Sequence, residues 1–165
     1  MQKCFYLICP TDCIEQTINN QFKYENYFYT SLGNSFAINN KTIESIKQTL
    51  EKKNIKKIYF VLSMHNKIIL DALGEQKFSN ITGLNDCYQE VIKQKKQVEV
   101  SFHTHNISFS IISYYLNQKI NELQIQLSNL LKTPIKIEGK IFNKYQNSFT
   151  NIYSDLICLQ KHHLN

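Results

Sequence analysis

The chain has 165 residues, 19 of them lysine against 13 acidic residues, for a formal charge of +6, and it contains neither arginine nor tryptophan. Without arginine there is no bidentate guanidinium clamp on a carboxylate, a phosphate or a guanine edge, and no Asp–Arg dyad within one chain. The length suits a single domain over residues 1–165, and ten tyrosines and ten phenylalanines can fill its core. Isoleucine (22) and asparagine (18) are as abundant as lysine, a bias that runs through the whole chain. The positive charge therefore reads as a solvated lysine surface, able to attract an anionic partner but not to read a nucleic-acid sequence.

The five cysteines, Cys4, Cys9, Cys13, Cys87 and Cys158, are odd in number and irregular in spacing. They predict reduced thiols in a cytoplasmic protein rather than a disulfide framework. The apolar run 5–9 is too short for a signal-peptide core, and no stretch is long enough to span a bilayer.

In chain order, residues 3–9 predict a strand that ends at Pro10-Thr11-Asp12, where Thr11 or Asp12 can cap a helix carrying Ile14 and Ile18. A second strand follows at 27–32 and stops at Gly33-Asn34. Residues 40–53 form an amphipathic helix with Ile43, Ile46 and Leu50 on one face, and Lys52 and Lys53 suit its carboxyl end. A third strand over 57–63 turns at Met64-His65-Asn66 into a helix over 67–73, which Gly74 can cap. Residues 83–96 predict a helix. Residues 97–105 alternate like a strand, though a helix end fits them too. A long helix over 107–131 carries Phe109, Ile112, Leu116, Ile120, Leu123, Leu127 and Leu130 close to a heptad stripe. That stripe fits a helix lying across a sheet and equally one pairing with another subunit, so a homodimer or larger oligomer stays open. After Pro134, residues 135–142 alternate as a strand with Gly139 in the middle, and 149–153 form a return strand.

Strands alternating with helices at this spacing predict an α/β fold: a short, mostly parallel sheet flanked by helices, with an antiparallel strand pair at the end. Ligands of such sheets bind at the carboxyl ends of the strands, which directs attention to the loops after Cys9, Leu32 and Leu62. A separate feature is His103-Thr104-His105, whose imidazoles would share one face of a strand, as weak metal ligands lacking a third partner.

The order of these motifs resembles the β-class carbonic anhydrases. The carrying segments are Phe5 to Asp12, Tyr27 to Asn34, Thr42 to Ile46 with Ile58 to Ser63, and Ile135 to Phe142. The likeness covers roughly residues 3–75 and 110–153. It implies a zinc ion held by two cysteines and one histidine, whose bound water becomes the hydroxide that attacks carbon dioxide. Cys9 stands for the first cysteine, but its step to Asp12 is one residue longer than the family's. The arginine that orients the aspartate is missing. Met64 or His65 falls near the family's histidine, and Lys67 or a neighbour falls where the second cysteine belongs. The resemblance thus implies a carbonic-anhydrase-like protein that has lost the standard zinc site and hydratase activity, with a small-anion or assembly role.

The candidate pocket comprises Cys9, Asp12, Cys13, Gly33, Asn34, Ser63, Met64, His65 and Lys67. No cofactor is expected. If zinc binds, the ligands would be Cys9, Asp12 and His65, with His103 and His105 as weaker candidates. Lys67 could hold an anion such as bicarbonate or pair with Asp12. Against these readings, Cys9 could pack as a small apolar residue, Asp12 could cap a helix and His65 could sit in a solvated turn. The alternatives in function are a metalloenzyme with a rearranged zinc site and a lysine-rich binding module for an anionic partner.

Overall fold

The computed structural model describes residues 1–101 and 106–153. Five strands form one sheet in the order β2-β1-β3-β4-β5: β1 (Lys3–Ile8), β2 (Glu25–Thr30), β3 (Lys57–Ser63), β4 (Lys136–Asn143) and β5 (Ser148–Asn151). Neighbouring strands run parallel from β2 to β4, and only β5 pairs antiparallel, as the return of a hairpin. The expected α/β fold is present.

The two faces of the sheet are covered unequally. Phe5 and Leu7 of β1, and Cys9 just after it, face the main core, where helices α2 (Asn40–Lys53), α3 (Lys67–Leu73), α4 (Asn85–Ser101) and α5 (Ile107–Ser128) pack. The alternate residues Cys4, Tyr6 and Ile8 face a smaller cluster built on Ile14 and Ile18, from the start of the short helix α1 (Glu15–Gln21). Period-two alternation along the strand thus sorts its side chains into two cores.

The chain leaves β1 toward the α1 face and leaves β3 toward the α2–α5 face. The carboxyl ends of β1 and β3 are therefore adjacent strand ends whose connections diverge, the place where α/β sheets open a crevice.

Several local expectations change. Neither Thr11 nor Asp12 caps α1, because residues Pro10–Asp12 close a 3-10 turn and Cys13 follows in the left-handed region at φ 52°; α1 begins only at Glu15. Of the two readings open for residues 97–105, the helix end holds over residues 97–101, which close α4. Val98 is buried seven residues after buried Val91, a helical spacing that their local alternation disguises. His103 and His105 lie outside the described residues.

The stripe of α5 packs within the chain. Phe109, Ile112, Leu116, Leu123 and Leu127 are buried in the main core, Ile120 is half-buried against it, and only Leu130 is exposed. No helix among the described residues is long and apolar enough to cross a membrane.

Close approach of α5 to β4 depends on Gly139. A Cβ there would lie 2.3 Å from Cδ1 of Ile152 and 3.2 Å from Cδ1 of Ile120. The Ile152 amide also donates to the Gly139 carbonyl at 3.2 Å. Gly139→Ala is expected to cost about 1–3 kcal/mol by overpacking. Adding Ile152→Ala should return part of that cost, so the double variant costs less than the sum of the single ones in urea denaturation.

Candidate functional site

The carboxyl ends of β1, β3 and β4 carry three connections: the turn around residues 10–12, the turn 64–66 into α3, and the hairpin 144–147. One carboxylate links the first two. Asp12 Oδ2 accepts the Ser63 backbone N–H at 2.8 Å, and its Oδ1 accepts from Asn66 Nδ2 at 2.9 Å. Asn66 is wholly buried, and its side chain is used at both ends: Oδ1 accepts the Ile68 and Ile69 amides at 3.1 and 3.0 Å, capping α3.

Asn66 therefore steadies Asp12 in a chain that has no arginine to do so. Burial pushes the Asp12 carboxyl above the usual carboxylate range, against the opposing pull of the Ser63 and Asn66 donors; Glu15 adds to the rise.

Behind this layer, Cys9 turns into the main core. Its Sγ accepts the Gly33 N–H at 3.1 Å and lies 3.1 Å from Thr11 Oγ1. Gly33 sits at φ 59°, and a Cβ on it would meet Ile68 Cγ2 at 2.9 Å and Cys87 Sγ at 3.3 Å. The Tyr115 hydroxyl, fully buried, lies 2.8 Å from the Gly33 carbonyl oxygen and 3.3 Å from Cys87 Sγ. Burial pushes both the Cys87 thiol and the Tyr115 phenol up. Asn34, also wholly buried, donates from Nδ2 to the Val61 carbonyl at 3.0 Å and fixes this turn to β3.

Four candidates make none of these hydrogen bonds through their side chains. Met64 is half-buried against the main core, and Cys13 is exposed with its Sγ 3.4 Å from the Pro10 carbonyl. His65 and Lys67 are exposed. No ion pair joins Lys67 to Asp12 among the described residues.

These placements do not fit the zinc set that the resemblance implies. The Cys9 sulfur and the Asp12 carboxylate are engaged by different partners, and the loop after β3 offers an exposed imidazole, a thioether and an ammonium. Among the described residues, no three His, Cys, Asp or Glu side chains are placed to share a metal ion.

What does converge is a cavity of about 580 Å³ lined by Thr11, Asp12, Ser63, His65, Lys67, Lys144 and Tyr145. Two ammonium groups stand there against one carboxylate. Tyr145 meets the His65 ring edge-on, with centroids 5.1 Å apart. Sequence reasoning missed Thr11, Lys144 and Tyr145 as lining residues. The signal for the last two was topological: a parallel β4 beside β3 brings the hairpin after it to the same edge. Another cavity, about 700 Å³, lies between the segment before α2 and helices α4 and α5, and carries Asp86, Glu90, Glu122 and Lys119.

Asn66→Ala removes a helix cap and strands a carboxylate oxygen, and should cost about 2–4 kcal/mol in chemical denaturation. Asn66→Asp keeps the cap but sets a second carboxyl against Asp12, whose own ionisation burial already opposes. Two such carboxyls hold their protons more tightly folded than unfolded. Stability of Asn66→Asp relative to the parent should therefore be greatest below the unfolded carboxylate pKa and fall as pH rises through the raised folded values. Denaturation at acid and neutral pH measures this; a pH-independent difference would contradict it.

No family model and no curated protein matches the sequence. Solved structures do. The wild-type β-carbonic anhydrase CafD of Aspergillus fumigatus superposes with a TM-score of 0.72 at 15% identity, over 93% of this chain and 90% of that one. One from a study of two tetrameric β-carbonic anhydrases of Sordaria macrospora gives 0.69 at 12% identity, over 92% and 80%. The Coccomyxa β-carbonic anhydrase in complex with acetazolamide gives 0.69 at 12% identity, over 92% and 72%. The sheet order, the helices on its faces and these superpositions agree: the chain has the β-carbonic anhydrase fold.

Proposed function

We propose that this protein uses the β-carbonic anhydrase fold to bind a small anion, without the zinc chemistry of carbon dioxide hydration. The observation that carries this reading is the cavity over the diverging ends of β1 and β3, where Lys67, Lys144 and His65 gather while the Cys9 thiol is turned away into the core. A hydratase of this type needs a soft donor triad with an open fourth position. Here the position expected for the second cysteine has an ammonium group near it, and the first cysteine is engaged by Gly33 and Thr11.

The chain's own groups suit an oxyanion. The Lys67 and Lys144 ammonium groups supply charge and donors that can turn to meet it. The Thr11 and Ser63 hydroxyls add neutral donors. Ser63 Oγ already accepts the His65 amide at 3.2 Å, which fixes the turn and leaves its own proton free to give. Asp12 forms the floor, with one acceptor site on each oxygen taken by Ser63 or Asn66.

Oligomeric assembly belongs to the same reading. It is supported by the tetrameric description of the Sordaria macrospora proteins that share the fold. The α5 stripe is not the contact, because it is buried within the chain.

Protein purified without chelator should contain well under one zinc per chain and hydrate carbon dioxide no faster than buffer. Inorganic phosphate or bicarbonate should bind in a salt-sensitive way, and Lys67→Ala or Lys144→Ala should each weaken binding about tenfold, the loss of one charge-assisted contact. One tightly held zinc per chain with rapid hydration would overturn the reading in favour of a rearranged metalloenzyme.

A further inference from the structure

We propose that the anion is the phosphate of a nucleoside monophosphate, held by Lys67 and Lys144 while its base stacks on Tyr145. This rests on the anion-binding reading and adds the rest of the ligand to it.

Tyr145 is the first observation. It is 85% exposed, the most exposed tyrosine or phenylalanine of the described residues. Exposed rings at hairpin tips are ordinary when the tip is loose. This tip is built. Asn143 Oδ1 accepts the Tyr145 and Gln146 amides at 3.0 and 3.3 Å, and Gln21 Nε2 reaches from α1 to the Asn147 carbonyl at 2.7 Å. The hairpin thus holds a ring at the rim of a polar cavity, with His65 meeting it at a right angle. At that exposure a ring face stays open, and an aromatic face beside lysines is how proteins take a base together with its phosphate.

The cavity supplies the rest. At about 580 Å³ it is of small-molecule size and far larger than bicarbonate needs. It lies where adjacent parallel strands send their connections to opposite faces, the crevice in which α/β sheets take nucleotides. Asp12 repels a phosphate at the floor, so the phosphate belongs at the Lys67–Lys144 side. Each Asp12 oxygen keeps one lone pair beyond those given to Ser63 and Asn66, and ribose hydroxyls are donors that fit them. One carboxylate in an anion pocket, out of place for bicarbonate alone, thereby gains a partner.

The test titrates the full chain by calorimetry with adenosine monophosphate, ribose 5-phosphate, adenosine and inorganic phosphate. The monophosphate should bind about tenfold or more tighter than ribose 5-phosphate, the margin that one stacked base supplies. Tyr145→Ala should erase that margin and leave ribose 5-phosphate unchanged, while Tyr145→Phe keeps it. Circular dichroism confirms that both variants fold. Equal affinity for the monophosphate and ribose 5-phosphate, or a margin that survives Tyr145→Ala, overturns the nucleotide proposal. Phosphate binding that still depends on Lys67 and Lys144 would leave the anion reading standing; no binding of any phosphate would remove both.

Discussion

Asp12 holds together two connections that the sheet sends in opposite directions. The turn after β1 heads for α1 on one face, and the turn after β3 heads for α3 on the other. Nothing in the sheet ladder joins them beyond Ile8 and Ser63. The carboxylate spans that gap through the Ser63 amide and the Asn66 side chain. Asn66 in turn is shared between Asp12 and the first amides of α3. Orientation of the carboxylate and placement of the helix are therefore one constraint. The crevice keeps its shape because its floor is tied, and an asparagine suffices because a neutral amide donor can be buried with little desolvation cost once all its bonds are made.

The framework was legible in the sequence because repetition carries it. Alternating strands, the Ile43, Ile46 and Leu50 face of α2 and the stripe of α5 each repeat a signal over several residues, and the order of elements narrowed the topology. Residues 97–101 stayed ambiguous because Val98 and Val100 alternate locally, while the decisive partner, Val91, lies seven residues back. At the site, sequence pointed to the right loops but not to the partners. Asn66 looked like a turn residue, and its double role needs Asp12 to come within hydrogen-bond distance from 54 positions away. Cys87 and Tyr115 carry no motif, and they meet Gly33 only because α4 and α5 pack over the end of β1.

The superpositions and the side chains speak to different levels of the molecule. The backbone follows carbonic anhydrases closely enough to superpose over nine-tenths of the chain at 11–15% identity. At the end of β1 the Cys9 sulfur takes the Gly33 N–H, and Ile68 and Cys87 close over Gly33 in turn. A fold fixes where strand ends lie and leaves the chemistry at those ends to individual residues.

The bond from Gln21 to Asn147 joins residues 126 positions apart. It crosses from α1, the first α-helix of the chain, to its final hairpin, at the rim of the cavity. A contact of that span carries a larger loop-closure cost than a local one, as does long-range parallel pairing such as β3 with β4. The ties of the floor, by contrast, draw only on residues 12–69. The base of the crevice and its aromatic rim are thus held by separate stretches of sequence, and only the rim ties the chain's first helix to its last hairpin.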